Sequence, residues 1–128
     1  GGGTKMDDFR LGIVETRFAE LIWAHEPLTS GELVKLCAKE LDWKKSTTYT
    51  VLKKLCERGI FQNRDGIVTS VVSQKEYQSR QSRRFVEDIF SGSLPAFIAA
   101  FAEGGELSDQ ELLEIRRMID SYEGGGKQ

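Results

Sequence analysis

The sequence predicts a mainly α, α+β chain, and three observations carry that prediction. Residues 43–59, WKKSTTYTVLKKLCERG, place Thr48, Val51, Leu52 and Leu55 on one face at helical spacing. The opposite face holds Ser46, Thr50 and Lys53, with Thr47 and Lys54 beside them. Two short β-prone runs follow at once, 60–63 and 67–72, around Arg64-Asp65-Gly66, and Asp-Gly is a strong hairpin signal. Capping boxes at Thr29…Glu32, Ser73…Glu76 and Ser108…Glu111 open helices before and after this unit. A polar-faced helix followed directly by a hairpin is the arrangement of a winged helix-turn-helix, whose helix enters the major groove and whose wing reaches the flanking backbone. The predicted organisation is a winged helix-turn-helix DNA-binding domain at 8–73 and a helical dimerisation domain at 74–123, with flexible tails at 1–7 and 124–128.

Helix 1 is expected over 13–24, with Val14, Phe18, Leu21 and Ile22 as its apolar stripe at i, i+4, i+7 and i+8. Trp23 reads as core edge, and Pro27 closes the connection. Helix 2 starts at the Thr29 box and runs to about Leu41, turning Leu33, Leu36, Cys37 and Leu41 inward. Asp42-Trp43 is the short turn into helix 3, and Gly59 stands where a left-handed C-terminal cap belongs. A short strand around Leu28 would pair with the hairpin edge. The helix after Ser73 carries Tyr77, Val86, Ile89 and Phe90, with a cationic patch at Arg80, Arg83 and Arg84. Ser91-Gly92-Ser93 breaks it. The next helix opens with Pro95 in its first turn and shows Leu94, Phe97, Ile98 and Phe101 on one face. Gly104-Gly105 ends it, and the last helix turns Leu112, Ile115, Ile119 and Tyr122 to one side, near a heptad seam.

The segment after Ser73 has about fifty residues, too few for three helical pieces to bury their own apolar faces. A winged helix already closes its own core, so the predicted cover is a second copy across a two-fold axis. The expected dimer contacts are Phe85, Ile89, Phe90, Leu94, Phe97, Ile98, Phe101, Leu112, Ile115 and Ile119.

Charge points to the partner of the front half. The chain's net charge is only −2, but residues 44–64 hold six cations (Lys44, Lys45, Lys53, Lys54, Arg58, Arg64) against Glu57 alone. Residues 103–123 hold seven acids and two arginines. A basic region on an acidic protein concentrates the field where a phosphate backbone would meet it. Hydroxyls and ammonium groups suit phosphates and base edges, because they donate hydrogen bonds without adding negative charge. The candidate DNA-contacting set is Lys44, Lys45, Ser46, Thr47, Tyr49, Thr50, Lys53 and Lys54, with Arg64 in the wing.

Composition excludes several other classes. With 39% hydrophobic and 30% charged residues the chain is globular, and no apolar run approaches the roughly 18 residues of a membrane span. The opening GGGTKM has no signal-peptide core and is left out of the fold reasoning. Cys37 and Cys56 read as small core residues in a reducing compartment, so the expected location is cytoplasmic. No metal and no cofactor is expected, since His25 stands alone and the Ser, Thr and Cys residues have no local His to activate them. No Gly-rich phosphate loop appears, so the chain does not read as an enzyme.

Several stretches resemble the penicillinase-repressor family, also called the methicillin-resistance repressor family, of small bacterial winged-helix repressors. They are Leu21-Ile-Trp23, Trp43 before a Thr-rich helix ending Leu55-Cys-Glu-Arg-Gly59, Val72-Ser-Gln-Lys-Glu-Tyr77, Phe90-Ser-Gly-Ser93 and Leu107-Ser-Asp-Gln-Glu111. The resemblance implies a homodimer on a palindromic operator of double-stranded DNA, repressing resistance or stress-response genes. It implies DNA contacts from Lys45, Ser46, Thr47, Thr50 and Lys53, and from Arg64 in the wing. The chain departs from the family pattern in Lys44, where a helix-capping Ser is usual, in Thr16, where a Trp is usual, and in a shorter wing. Some members are inactivated by a regulatory protease at an Asn-Phe bond; the matching place here reads Ala100-Phe101. The C-terminal Cys-x-Cys pairs of the copper-responsive branch do not occur. The competing reading is a winged helix that serves protein–protein assembly without sequence-specific DNA binding.

Overall fold

The computed structural model describes residues 10–122. The proposed tails at 1–7 and 124–128 lie outside the described residues. Six helices and three short strands follow in the order α1 (Ile13–His25), β1 (Leu28–Thr29), α2 (Ser30–Leu41), α3 (Lys45–Glu57), β2 (Phe61–Arg64), β3 (Ile67–Ser70), α4 (Gln74–Phe90), α5 (Leu94–Gly104) and α6 (Asp109–Ser121). The strands form one antiparallel sheet in the order β1-β3-β2. Leu28 sits opposite Val68, and Phe61 opposite Ser70. This is the mainly α, α+β winged helix anticipated from the sequence. The short strand at Leu28 pairs with the hairpin's outer edge as expected.

Local chemistry accounts for the boundaries. Thr29 Oγ1 accepts from Glu32 N at 3.0 Å while Glu32 Oε1 accepts from Thr29 N at 2.8 Å, a complete capping box. Ser108 and Glu111 repeat it on α6, and Ser73 Oγ accepts from Glu76 N at the start of α4. The hairpin turns on Asp65 and Gly66 alone, both at positive φ (54° and 84°), as a two-residue primed turn requires. Gly59, at φ 85°, lets Ile60 N reach back to Leu55 O and stops α3 sharply.

The described residues fall into two compact units, the first ending at Arg84 and the second starting at Phe85. The first half of α4 therefore belongs with the winged helix. Tyr77 explains why: it is buried, its ring lies 5.4 Å from that of Trp23, and its hydroxyl accepts from Leu11 N.

In the first unit Phe18, Ala19, Ile22, Leu33, Cys37, Leu55, Ile60 and Val68 have no exposed surface. Leu36 and Leu41 pack against this core from its edge. The Trp43 ring stacks on Phe18 at 5.4 Å, closing the α2–α3 turn over the core. The expected stripe of α1 needs one correction. Val14 is 54% exposed and Ala19 is buried instead, so the buried face is Phe18, Ala19 and Ile22. A small residue lets the helix approach its neighbours there, and the stripe does not extend to the first turn. The strands are also offset from the sequence estimate. Ile60 precedes β2, and its carbonyl accepts from both Val71 N and Val72 N. That pairing closes the base of the hairpin outside the regular ladder.

The second unit holds the end of α4 with α5 and α6. Ser91 and Gly92, at φ 52° and 84°, break the chain, and Ser93 Oγ then caps α5. Four phenylalanines touch in sequence: Phe97 lies 5.9 Å from Phe85, 5.6 Å from Phe90 and 6.0 Å from Phe101, centroid to centroid. Neither α5 nor α6 contains a buried residue among those described.

Candidate nucleic-acid interface

Helix α3 is held by Thr48, Leu52 and Leu55, all buried at i, i+4 and i+7, with Val51 and Cys56 half-buried beside them. That anchoring fixes which side faces out. Lys44, Lys45, Ser46, Thr47, Tyr49, Thr50, Lys53 and Lys54 are all exposed, and so is Arg64 at the end of β2. The array lies on the surface rather than inside the protomer. Thr48 Oγ1 is buried without a hydrogen bond of ordinary geometry, and the group it meets is the soft Cys37 thiol.

The start of α3 lacks the hydroxyl cap that opens α2, α4, α5 and α6. Lys44 occupies the N-cap and contributes no side-chain hydrogen bond. The first-turn N–H groups therefore keep their donor capacity at the positive end of the helix, next to two ammonium groups. Such an end favours an anion.

Not every cation in the set is equally available. Lys54 Nζ lies 2.8 Å from Glu15 Oε2 on α1, and Arg58 Nη1 lies 3.8 Å from Glu15 Oε1. The Lys54 hydrogen bond, then that from Gly12 N–H, hold the Glu15 carboxyl below its ordinary pKa, with burial opposing them. Lys54 thus spends part of its charge within the protein. Tyr49 is 37% exposed, and its hydroxyl lies 3.2 Å from Ser30 Oγ, fastening α3 to the start of α2. Lys44, Lys45, Ser46, Thr47, Thr50 and Lys53 carry the outward chemistry of the helix.

The wing is tied to the same frame. Ser30 N donates to Gly66 O at 2.8 Å, and Asn63 Oδ1 accepts from Gly66 N. Glu26 accepts from Ser70 N at 2.8 Å and from Ser70 Oγ at 2.9 Å, pinning β3 to the end of α1. Trp23 Nε1 donates to Val72 O at 3.0 Å. Arg64 is exposed near the tip, but Asp65 follows it in the turn, so the two formal charges there cancel. Sequence reasoning had not identified Glu15, Glu26, Ser30 or Asp65 as groups that tune this surface. Asp65 was readable as a charge next to Arg64. The others act across long separations that leave no local pattern.

Other chemistries find little support. Both cysteines are free. Burial pushes the Cys37 thiol up, with the Thr48 hydroxyl opposing, and burial followed by the Glu57 charge pushes Cys56 up. A raised thiol pKa suppresses the nucleophilic thiolate. His25 is exposed at the end of α1, with Nδ1 2.9 Å from Leu21 O. Among the described residues no group of three His, Cys, Asp or Glu side chains is placed to hold a metal. No single helix among them is long and apolar enough to cross a membrane.

Fold and surface together define a winged-helix protein with an outward, hydroxyl- and lysine-rich recognition-type helix. Comparison with known proteins makes the assignment specific. A sequence model of the penicillinase repressor family matches residues 11–121, nearly the whole chain, and the protein belongs to that family. It is 23% identical over 118 residues to the penicillinase repressor of Bacillus licheniformis, covering 89% of this chain and 92% of that one. It is 21% identical over 116 residues to the methicillin resistance regulatory protein MecI of Staphylococcus aureus strain Mu50, covering 88% and 94%. The penicillinase repressor of Staphylococcus aureus is 18% identical over 114 residues. The family is one of transcriptional repressors and not of enzymes, as the sequence reading anticipated.

Proposed function

We propose that the protein is a homodimeric, sequence-specific DNA-binding repressor of a resistance or stress-response operon, acting on a palindromic operator through α3. The observation that carries this reading is the exposed array Lys44, Lys45, Ser46, Thr47, Thr50 and Lys53, set opposite three buried anchors. Lys44 and Lys45 neutralise phosphates, while Thr47, Thr50 and Lys53 meet base edges at about 1–3 kcal/mol per good contact. Tyr49 and Lys54 flank the array, and Arg64 contacts the backbone from the wing. Residues 8–73, with the first half of α4 packed on them, act as the DNA-binding domain, and the remainder of 74–123 acts as the dimerisation domain. Phe85, Ile89, Phe90, Leu94, Phe97, Ile98, Phe101, Leu112, Ile115 and Ile119 supply the contacts between copies. Two-fold symmetry places the half-sites about one helical turn apart, roughly 34–36 Å, or a multiple. Release by a regulatory protease acts near Ala100-Phe101, a bond inside α5 with exposed side chains on both sides.

A shift assay on a duplex selected from a random pool tests the reading. With six to ten phosphate contacts per dimer, affinity falls about 10³- to 10⁵-fold between 50 and 200 mM salt. A flat salt response, or no enrichment of any sequence, would instead indicate an assembly module.

A further inference from the structure

A cleft of about 490 Å³ lies on the first unit, and none of its lining residues belongs to α3. One wall is a stripe of α2, Glu32, Lys35, Leu36 and Lys39, spaced i, i+3, i+4 and i+7 on a single face; His25, Pro27 and Leu28 form the other. The volume falls within the range of about 300–1,000 Å³ of small-molecule sites, and the cleft is a shallow one, open to solvent along much of its surface. Its floor is apolar: Leu28 is buried, Leu36 half-buried, and Pro27 closes the side.

The rim is not balanced in charge. Lys35 and Lys39 are exposed ammonium groups one helical turn apart. Glu32 is the single acid, and its Oε1 is engaged by Thr29 N at 2.8 Å in the capping box. At His25 the carbonyl of Leu21 can only accept, so Nδ1 carries the hydrogen and the ring contributes its face and edge to the cleft rather than a bond to an anion. A ligand complementary to this cleft has a flat apolar body and one anionic head held between the two ammonium groups. DNA is a poorer match, since a phosphate backbone would leave the apolar floor unfilled. We propose that the cleft is a binding site for a small amphipathic carboxylate with a body of aromatic-ring size. The proposal does not rest on the DNA-binding reading, and its test contains no operator.

The probes are 2-naphthoate and its uncharged counterpart 2-naphthylmethanol, titrated into the full chain by calorimetry and by amide chemical-shift mapping. Naphthoate is expected to bind at least about tenfold more tightly than the alcohol, as loss of a charge-assisted contact predicts. Its largest shifts should fall at His25, Leu28, Lys35, Leu36 and Lys39. The double variant Lys35→Glu/Lys39→Glu should lose naphthoate binding at least tenfold while keeping its remaining amide spectrum. Equal affinity for acid and alcohol, shifts concentrated on the exposed aromatic face of the second unit, or undiminished binding by a folded double variant would each overturn the proposal. The wild-type shift map decides the matter by itself if the double variant does not fold.

Discussion

Both compact units contain a cluster of aromatic rings, and they use it in opposite ways. In the first, Phe18 and Phe61 are 0% and 1% exposed, with Trp43 stacked on one and Trp23 against the other. In the second, Phe85, Phe90, Phe97 and Phe101 touch each other, yet Phe85 remains 49% exposed and Phe101 61%. Ile98, Leu113, Met118, Ile119 and Tyr122 share that exposure. Contact between rings is thus no measure of burial. The first cluster joins rings from α1, the α2–α3 turn, β2 and α4, distant in sequence and packed into the buried core. The second gathers rings from α4 and α5 around Phe97, with one side uncovered. A chain that leaves so much apolar surface uncovered has a site for association. The comparison therefore supports the dimer proposed above and assigns folding stability mainly to the winged helix.

The largest effect should come from the closed cluster. Phe61→Ala removes a fully buried ring at the base of the hairpin and is expected to destabilise by about 3–5 kcal/mol. Denaturant unfolding at fixed protein concentration measures this. A loss under about 1 kcal/mol would mean that the first unit is not the stable one. The open cluster should answer differently. Phe101→Asp puts a charge on the uncovered side and should weaken self-association at least about a hundredfold, since an unpaired charge buried at an interface costs several kcal/mol. Sedimentation equilibrium reads it, and an unchanged dimer would remove Phe101 from the interface. Phe97 is a less clean choice, because it lies at the centre of its own unit's ring cluster and a charge there would disturb the protomer too.

An intermediate effect belongs to α3. Thr50→Glu introduces negative charge on the exposed face without touching Thr48, Leu52 or Leu55. It should lower duplex affinity by at least about tenfold per protomer, the scale of one lost base contact, and leave the unfolding midpoint unchanged. Undiminished affinity would remove α3 from the interface.

These outcomes also mark how far the sequence could be read. The capping boxes at Thr29 and Ser108, the Asp65-Gly66 turn and the two faces of α3 are all local, each set by residues within a turn or two, and each stood in the sequence. The stripe Leu94, Phe97, Ile98 and Phe101 of α5 is local in the same way, whereas the contacts of Phe97 with Phe85 and Phe90 cross the break between two helices. What stayed hidden depends on tertiary approach. Val14 has the periodicity of a core residue but is exposed, while Ala19, off the predicted stripe, is buried. The Glu26–Ser70 and Trp23–Val72 bonds join residues 44 and 49 positions apart. Lys54 looked like a groove-facing cation because its counter-ion belongs to another helix.

That last pair gives the smallest and most specific prediction. Glu15 has two effects: it braces α1 against the end of α3, and it withdraws charge from the basic face. Lys54 is 58% exposed and Glu15 22%, so solvent screens the bridge, and Glu15→Gln should cost only about 0.2–1 kcal/mol. The sign with pH is fixed by the direction of the shift. The carboxyl titrates below its ordinary value of 4.5 in the folded chain, so its stabilisation is complete above that value and is lost as pH falls through the lowered one. The stability gap between wild type and variant should accordingly be constant from pH 6 to 8 and close in acid; the same gap should shrink in high salt. Meanwhile the variant releases Lys54 and should bind duplex slightly more tightly than wild type. Stability and DNA affinity moving in opposite directions would place Glu15 as a positioning residue of the basic face. A gap that persists unchanged at pH 2.5 would show instead that Gln disturbs α1 by packing, with the bridge to Lys54 contributing nothing measurable.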